Sequence, residues 1–238
     1  MYKRILLKIS GESIADKEKN QTINCEKLTH IASIIKDLTN KGIQVGIVIG
    51  AGNIWRGKFA SKLNIDPAEA DYMGMCGTVI NAVALANALK TQGINAYAMS
   101  AINIDPITIP FDENKAKEIL DKGGAIVFGG GTGKPFFTTD TAATLRAIQI
   151  DADLICMAKY GVDGVYTDDP NKNPDAKFIE KLTFKEILDK KLQIMDLSAV
   201  ELIKDKDIEV RVFNMDDPKN IEKVVNGEKI GTILKRGF

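Results

Sequence analysis

Apolar positions along the chain follow two spacings that take turns. The stretches 3–9, 43–49, 94–99, 125–128, 153–157, 209–213 and 232–234 are short Ile-, Val-, Leu- and Ala-rich runs, and each predicts a strand. Between them, 24–41, 67–90, 114–120, 142–150, 195–204 and 218–225 carry apolar residues at helical spacing and predict helices. Their ends are marked: Gly42 follows the first, Pro67 opens the second, Thr138, Thr139 and Asp140 precede the fourth, Asp196 caps the fifth and Pro218 starts the last. Strands alternate with helices throughout, so the expected fold is α/β, a three-layer αβα sandwich around a mostly parallel central sheet. The polar stretches 15–24 and 171–177 read as exposed loops, and no repeat or linker divides the chain. One domain over 1–238 is expected, with an amino-terminal part to about 150 and a smaller part over 151–238 sharing one sheet.

Composition narrows the partners. Lys plus Arg and Asp plus Glu are both 32, which gives no basic excess to attract nucleic acid or an anionic membrane. No apolar stretch is read as approaching the ~20 residues that span a bilayer. The basic-then-apolar start is too short, and too soon interrupted by Lys8, for a signal peptide. Cys25, Cys76 and Cys156 are odd in number and far apart, which points to reduced thiols in the cytoplasm. The single histidine, His30, sits in a helical pattern at a surface or half-buried place, so histidine chemistry is not expected.

Candidate chemistry gathers where strands run into glycine. After 125–128, Gly129, Gly130, Gly131 and Gly133 strip side chains from the strand's end, so backbone N–H groups can approach an anion. The hydroxyl-rich cap and helix that follow complete a phosphate-binding recipe, although a flexible connection would also use glycine. Two familiar nucleotide motifs fail. A P-loop counted back from Gly133-Lys134 begins at Phe128 and has Pro135 in place of the hydroxyl, and a dinucleotide fingerprint starting at Gly50 has Trp55 at its third glycine. Lys8-Ile9-Ser10-Gly11-Glu12 ends the first strand, and Gly50-Ala51-Gly52-Asn53 followed by Arg56 ends the second. Lys8 is either a phosphate ligand or a solvent-facing edge lysine. Open α/β sheets bind ligands at strand carboxyl ends, so these loops are expected to share a crevice. Asp71, in the first turns of a helix, is either a dipole-stabilising carboxylate or a substrate ligand. The 158–170 loop offers a lysine, tyrosines and aspartates, while Asp168-Asp169-Pro170 is also simply a good turn.

Taken in order, Lys8-Ile9-Ser10-Gly11-Glu12, Gly50-Ala51-Gly52-Asn53-Ile54-Trp55-Arg56-Gly57, Asp71-Tyr72-Met73-Gly74-Met75, the segment 131–140 and Val162-Asp163-Gly164-Val165-Tyr166 resemble the bacterial uridylate kinases of the amino acid kinase family. The resemblance runs on to Arg211-Val212-Phe213-Asn214 and 227–232 and so covers nearly the whole chain. It implies transfer of the ATP γ-phosphoryl group to UMP in pyrimidine nucleotide biosynthesis, with Mg²⁺ held mainly by nucleotide phosphates and no protein metal site. By the same resemblance Lys8, Asp140, Arg56 and Lys159 would be catalytic. Lys8, Ile9, Ser10, Gly11, Gly52 and Arg56, with Tyr160, Tyr166 and Asp169 at the adenosine, would bind ATP. Ala51 and Asp71, with Thr132, Gly133, Lys134, Pro135, Phe136, Phe137, Thr138 and Thr139, would bind UMP. A homohexamer inhibited by UTP is what the family pattern further implies, while charge balance and cysteine spacing lead to the expectation of a cytoplasmic protein without nucleic-acid or membrane partners. The chain departs from that pattern with Ala51 where relatives often carry glycine, Tyr160 at a position that is often asparagine, and no glycines over 15–20. GTP activation is therefore not carried over. A carboxylate or carbamate kinase of this fold, and a non-catalytic nucleotide-binding or storage protein, stay open as alternatives.

Overall fold

The computed structural model describes residues 2–159, 161–168, 170, 172–192 and 194–238. The elements follow as β1 (Arg4–Ile9), α1 (Cys25–Asn40), β2 (Gln44–Ile49), α2 (Pro67–Thr91), β3 (Ala96–Ser100), β4 (Ile109–Pro110), α3 (Glu113–Asp121), β5 (Ala125–Gly129) and α4 (Thr139–Gln149). The carboxyl-terminal part continues with β6 (Leu154–Lys159), β7 (Val165–Tyr166), β8 (Phe178–Ile179), β9 (Lys181–Thr183), α5 (Phe184–Lys190), α6 (Leu197–Ile203), β10 (Glu209–Asn214), α7 (Asn220–Val225) and β11 (Thr232–Lys235).

Nine strands form one sheet in the order β4-β3-β5-β2-β1-β6-β10-β11-β9. Every neighbouring pair is parallel except β10 with β11. The expected αβα sandwich is present. Ile5, Leu7 and Ile9 of β1 share one core with α1, α2 and α7, and Leu6 shares the other with α3, α4, α5 and α6. Burial on both faces is why the central strands read as continuous apolar runs rather than alternating ones. Alternation still matters at the end of β1. Lys8 has the parity of Leu6, so its side chain rises on the α4 face. Because β5, β2, β1 and β6 are mutually parallel, their carboxyl ends lie along one edge, and the loops after them face one another.

Several expectations change. α2 spans 25 residues and, by length and composition, is long and apolar enough to cross a membrane, contrary to the reading that no stretch approaches that length. Its apolarity comes from Ala, Val, Ile, Leu and Met interrupted by Gly, Thr and Asn rather than from an unbroken aliphatic run. Half of the apolar window is buried, in packing against β3, β5 and α1. α7 starts at Asn220, with Pro218 in the turn before it, and α6 is shorter than the sequence pattern suggested. β4, the antiparallel β7–β8 pair and the β9–α5 segment have no counterpart in the sequence reading. α5 nevertheless carries a complete capping box between Thr183 and Glu186.

Candidate active site

Two cavities lie along the carboxyl edge of the sheet. The first, about 440 Å³, is enclosed by the loop after β2 (Ala51, Gly52, Trp55), the start of α2 (Asp71, Gly74, Met75, Thr78), Phe128 of β5, and Gly131 with Phe136, Phe137, Thr138 and Thr139. The second, about 600 Å³, lies over the carboxyl-terminal part between Lys159, Gly164, Tyr166, Lys191, Ile194 and Val212. A third concavity, lined by Asp140, Lys159, Ile194 and Asp196, shares Lys159 and Ile194 with the second.

Between the two stands an ion pair. Lys8 Nζ lies 2.8 Å from Asp140 Oδ1, with side chains only 15% and 17% exposed. β1 delivers the lysine and the first turn of α4 delivers the aspartate, whose carboxylate also suits the positive end of the helix dipole. Lys159 closes the group from the end of β6. Its ammonium donates to the Ile194 carbonyl, and burial pushes its pKa below the usual lysine range, with Asp140 opposing and Lys8 reinforcing that fall. Lys8 and Lys159 are held beside Asp140 and Asp196 in a partly desolvated place, where the attraction of either ammonium for an anion exceeds that in water.

The two glycine loops after β1 and β2 pack on each other. Gly11 packs so closely on the β2 loop that a methyl there would collide with Asn53 Oδ1 and the Gly50 carbonyl. Asn81 of α2 fixes that loop, donating to the Gly50 carbonyl at 2.8 Å and exchanging bonds with Asn53. Among the described residues the amides of Gly11, Ala51 and Gly52 donate to no carbonyl, which leaves them available to an anion. Arg56 is turned aside: its guanidinium pairs with Glu12, and its Nε donates to the Gly52 carbonyl at 3.1 Å. Glu12 also meets Lys17 of the polar loop at 3.4 Å. Ser10 caps the short helical turn that follows β1, and Ile9 is fully buried core.

The loop over 130–138 forms the outer wall of the first cavity. Gly130 has φ 73°, and a side chain there would also strike Ser100 and the Ile102 amide, so only glycine fits. Asp71 has a further part that neither reading included. Its Oδ2 accepts the Phe136 N–H at 2.7 Å and so ties α2 to the loop while lining the cavity. Thr132 and Lys134 bond each other within the loop, and 132–135 lie outside the cavity lining. Thr138 caps α4 by accepting from Asp140 N–H at 3.2 Å and Thr141 N–H at 3.4 Å, and it donates its own proton to Asp196. Asp196 stands at the N-cap position of α6 as expected, but its carboxylate serves Thr138 rather than its own helix. Thr141 and Ser198 add a second link at 2.9 Å.

In the second cavity Tyr166 donates to Asp163 at 2.7 Å and packs edge-on against Phe178. Tyr160 and Asp169, expected at the adenosine, lie outside the described residues. Sequence reasoning missed the parts that Glu12, Asn81, Asp196 and Ser198 take, which depend on partners distant along the chain, and the lining of the first cavity by Trp55, Thr78 and Phe128. Among the described residues no group of three or more His, Cys, Asp or Glu is placed to hold a metal ion.

The model of the amino acid kinase family matches residues 3–214. A uridylate kinase from Streptococcus thermophilus is 45% identical over 98% of this chain and 95% of its own length. Another from Mycoplasmopsis pulmonis is 46% identical over 96% of this chain and 94% of its own. Among solved structures, the UMP kinase from Bacillus anthracis superposes with a TM-score of 0.95 at 39% identity, covering 100% of this chain and 97% of that one. The UMP kinase from Ureaplasma parvum superposes with a TM-score of 0.92 at 38% identity, covering 99% of both chains.

Proposed function

The chain belongs to the amino acid kinase family, and we propose that it acts there as a UMP kinase, transferring the γ-phosphoryl group of MgATP to UMP by way of the Lys8–Asp140–Lys159 group. The observation that carries the reading is the position of that group, between a cavity lined entirely by residues up to 142 and one lined entirely by residues from 159 onward. The first takes UMP and the second ATP, which divides the domain into an acceptor part over about 1–150 and a donor part over about 151–238.

A phosphate oxygen of UMP attacks the γ-phosphorus, the bond to the β–γ bridging oxygen breaks, and ADP leaves with UDP formed. Such a transfer asks mainly for alignment and charge stabilisation. Lys8 and Lys159 neutralise the equatorial oxygens, and Asp140 keeps both ammonium groups aimed at them. The Gly11 and Gly52 amides give further donors, as P-loop amides do in an unrelated fold. Asp71 holds the ribose end while tying down the 130–138 loop, and Thr138 and Thr139 line the same cavity. Arg56 exchanges Glu12 for a nucleotide phosphate when one arrives. Magnesium would come with the donor nucleotide and offset charge on its phosphates.

The same reading extends to assembly and control. The exposed apolar face of α2, with Tyr72, Met73 and Ile80, supports packing between copies, here in a homohexamer. UTP inhibits by placing its shared uridine in the acceptor cavity. The three free thiols support a cytoplasmic setting.

The test offers UMP, CMP, dUMP, aspartate and carbamate separately to the protein with ATP and Mg²⁺ and follows ADP release. Strong preference for UMP is expected. Turnover with aspartate or carbamate instead would move the assignment to a carboxylate or carbamate kinase, and binding of UMP without ADP release would favour a storage role.

A further inference from the structure

Arg146 of α4 is 3% exposed and has no carboxylate partner among the described residues. A buried guanidinium without a counter-ion is costly, and an apolar side chain of similar size would be cheaper at a purely structural position. Burial lowers its pKa to about 10, so it stays charged at neutral pH. What it touches leads to the first cavity. Nη2 donates to the Gly131 carbonyl at 3.1 Å, and Nη1 donates to Gln149. The guanidinium Cζ lies over the Phe111 ring, 3.7 Å from its centre, and 6.0 Å from the centre of Phe128. Phe111 in turn packs on Phe128, with ring centres 6.1 Å apart. Nε is buried with no partner, so part of the donor fork is left unspent to keep this orientation. Gly131 and Phe128 both line the cavity, whereas Arg146 itself does not.

We propose that Arg146 is a positioning residue for the nucleotide acceptor: stacked on Phe111 and bonded to Gly131, it fixes the glycine loop and the Phe128 wall in the shape that binds UMP. The inference rests on the UMP kinase reading. A planar, stacked and forked cation is required here, so lysine does not substitute although it keeps the charge. The effect is confined to the acceptor, because none of Gly131, Gln149, Phe111 and Phe128 lines the second cavity.

Trp55 is the chain's single tryptophan and lines the first cavity, so its fluorescence reports UMP binding without ATP. Wild type, Arg146→Lys, Arg146→Met and Phe111→Leu are titrated with UMP and then assayed with both nucleotides varied. Both Arg146 variants are expected to raise the Kd and KM for UMP about tenfold, with KM for ATP within about twofold of wild type. Phe111→Leu should raise them about threefold, since the Gly131 bond remains. Should Arg146→Met fail to fold, Arg146→Lys and Phe111→Leu decide the matter. Folded variants with unchanged UMP affinity, or with equal rises for UMP and ATP, overturn the role of Arg146 while leaving the kinase reading intact. A wild-type protein that neither binds nor phosphorylates UMP overturns both.

Discussion

Lys8 and Asp140 meet at 2.8 Å across the junction between a strand and a helix that are far apart in the chain. Each is nearly enclosed, so removing one leaves the other's charge desolvated as well as unaimed. Lys8→Ala and Asp140→Asn should each lower kcat at least about tenfold, equivalent to ~1.4 kcal/mol of barrier. Circular dichroism should show both variants folded. Near-normal turnover in both would remove this pair from the chemistry.

Asp71 acts on the acceptor loop through one charge-assisted bond to the Phe136 amide. Asp71→Ala should raise KM for UMP about tenfold, and Asp71→Asn, which keeps an acceptor oxygen but not the charge, should raise it less. KM for ATP is the control. If it moves in parallel with KM for UMP, the loop is not the reason.

Thr138 holds the α4 cap and the Asp196 link with one hydroxyl. Thr138→Ala should cost about 1–2 kcal/mol, seen as a fall in Tm of roughly 3–6 °C for a domain of this size. Thr138→Ser keeps the oxygen and should stay near wild type. Equal losses in the two variants would assign the effect to the methyl group instead.

Tyr2 supplies a pH signature at the opposite end of the sheet. Burial first, and then its 2.6 Å bond to Glu209, push the phenol from an ordinary 10.0 up to about 12. Between those values the folded protein keeps a proton that the unfolded chain releases. The contribution is therefore complete below pH 10 and disappears as pH rises through 12. Urea unfolding should show the stability difference between wild type and Tyr2→Phe shrinking over that window. Parallel pH curves for the two proteins would contradict it.

The sequence by itself determined the alternation of strands and helices, the glycine loops at strand ends, the Thr138 cap and the clustering of Lys8, Gly52 and Asp140 at one crevice. These follow from short-range rules: side-chain period, capping chemistry and the handedness of parallel crossovers. Tertiary structure alone decided which charges met. The parity of β1 turned Lys8 toward α4, the approach of α6 gave Asp196 to Thr138, and the loop after β1 placed Glu12 against Arg56. It also decided that α2, apolar enough by composition to span a bilayer, lies half buried against the sheet. Register and packing direction set such pairings, and neither leaves a mark in the residues nearby, because each partner contributes only a common polar or apolar side chain.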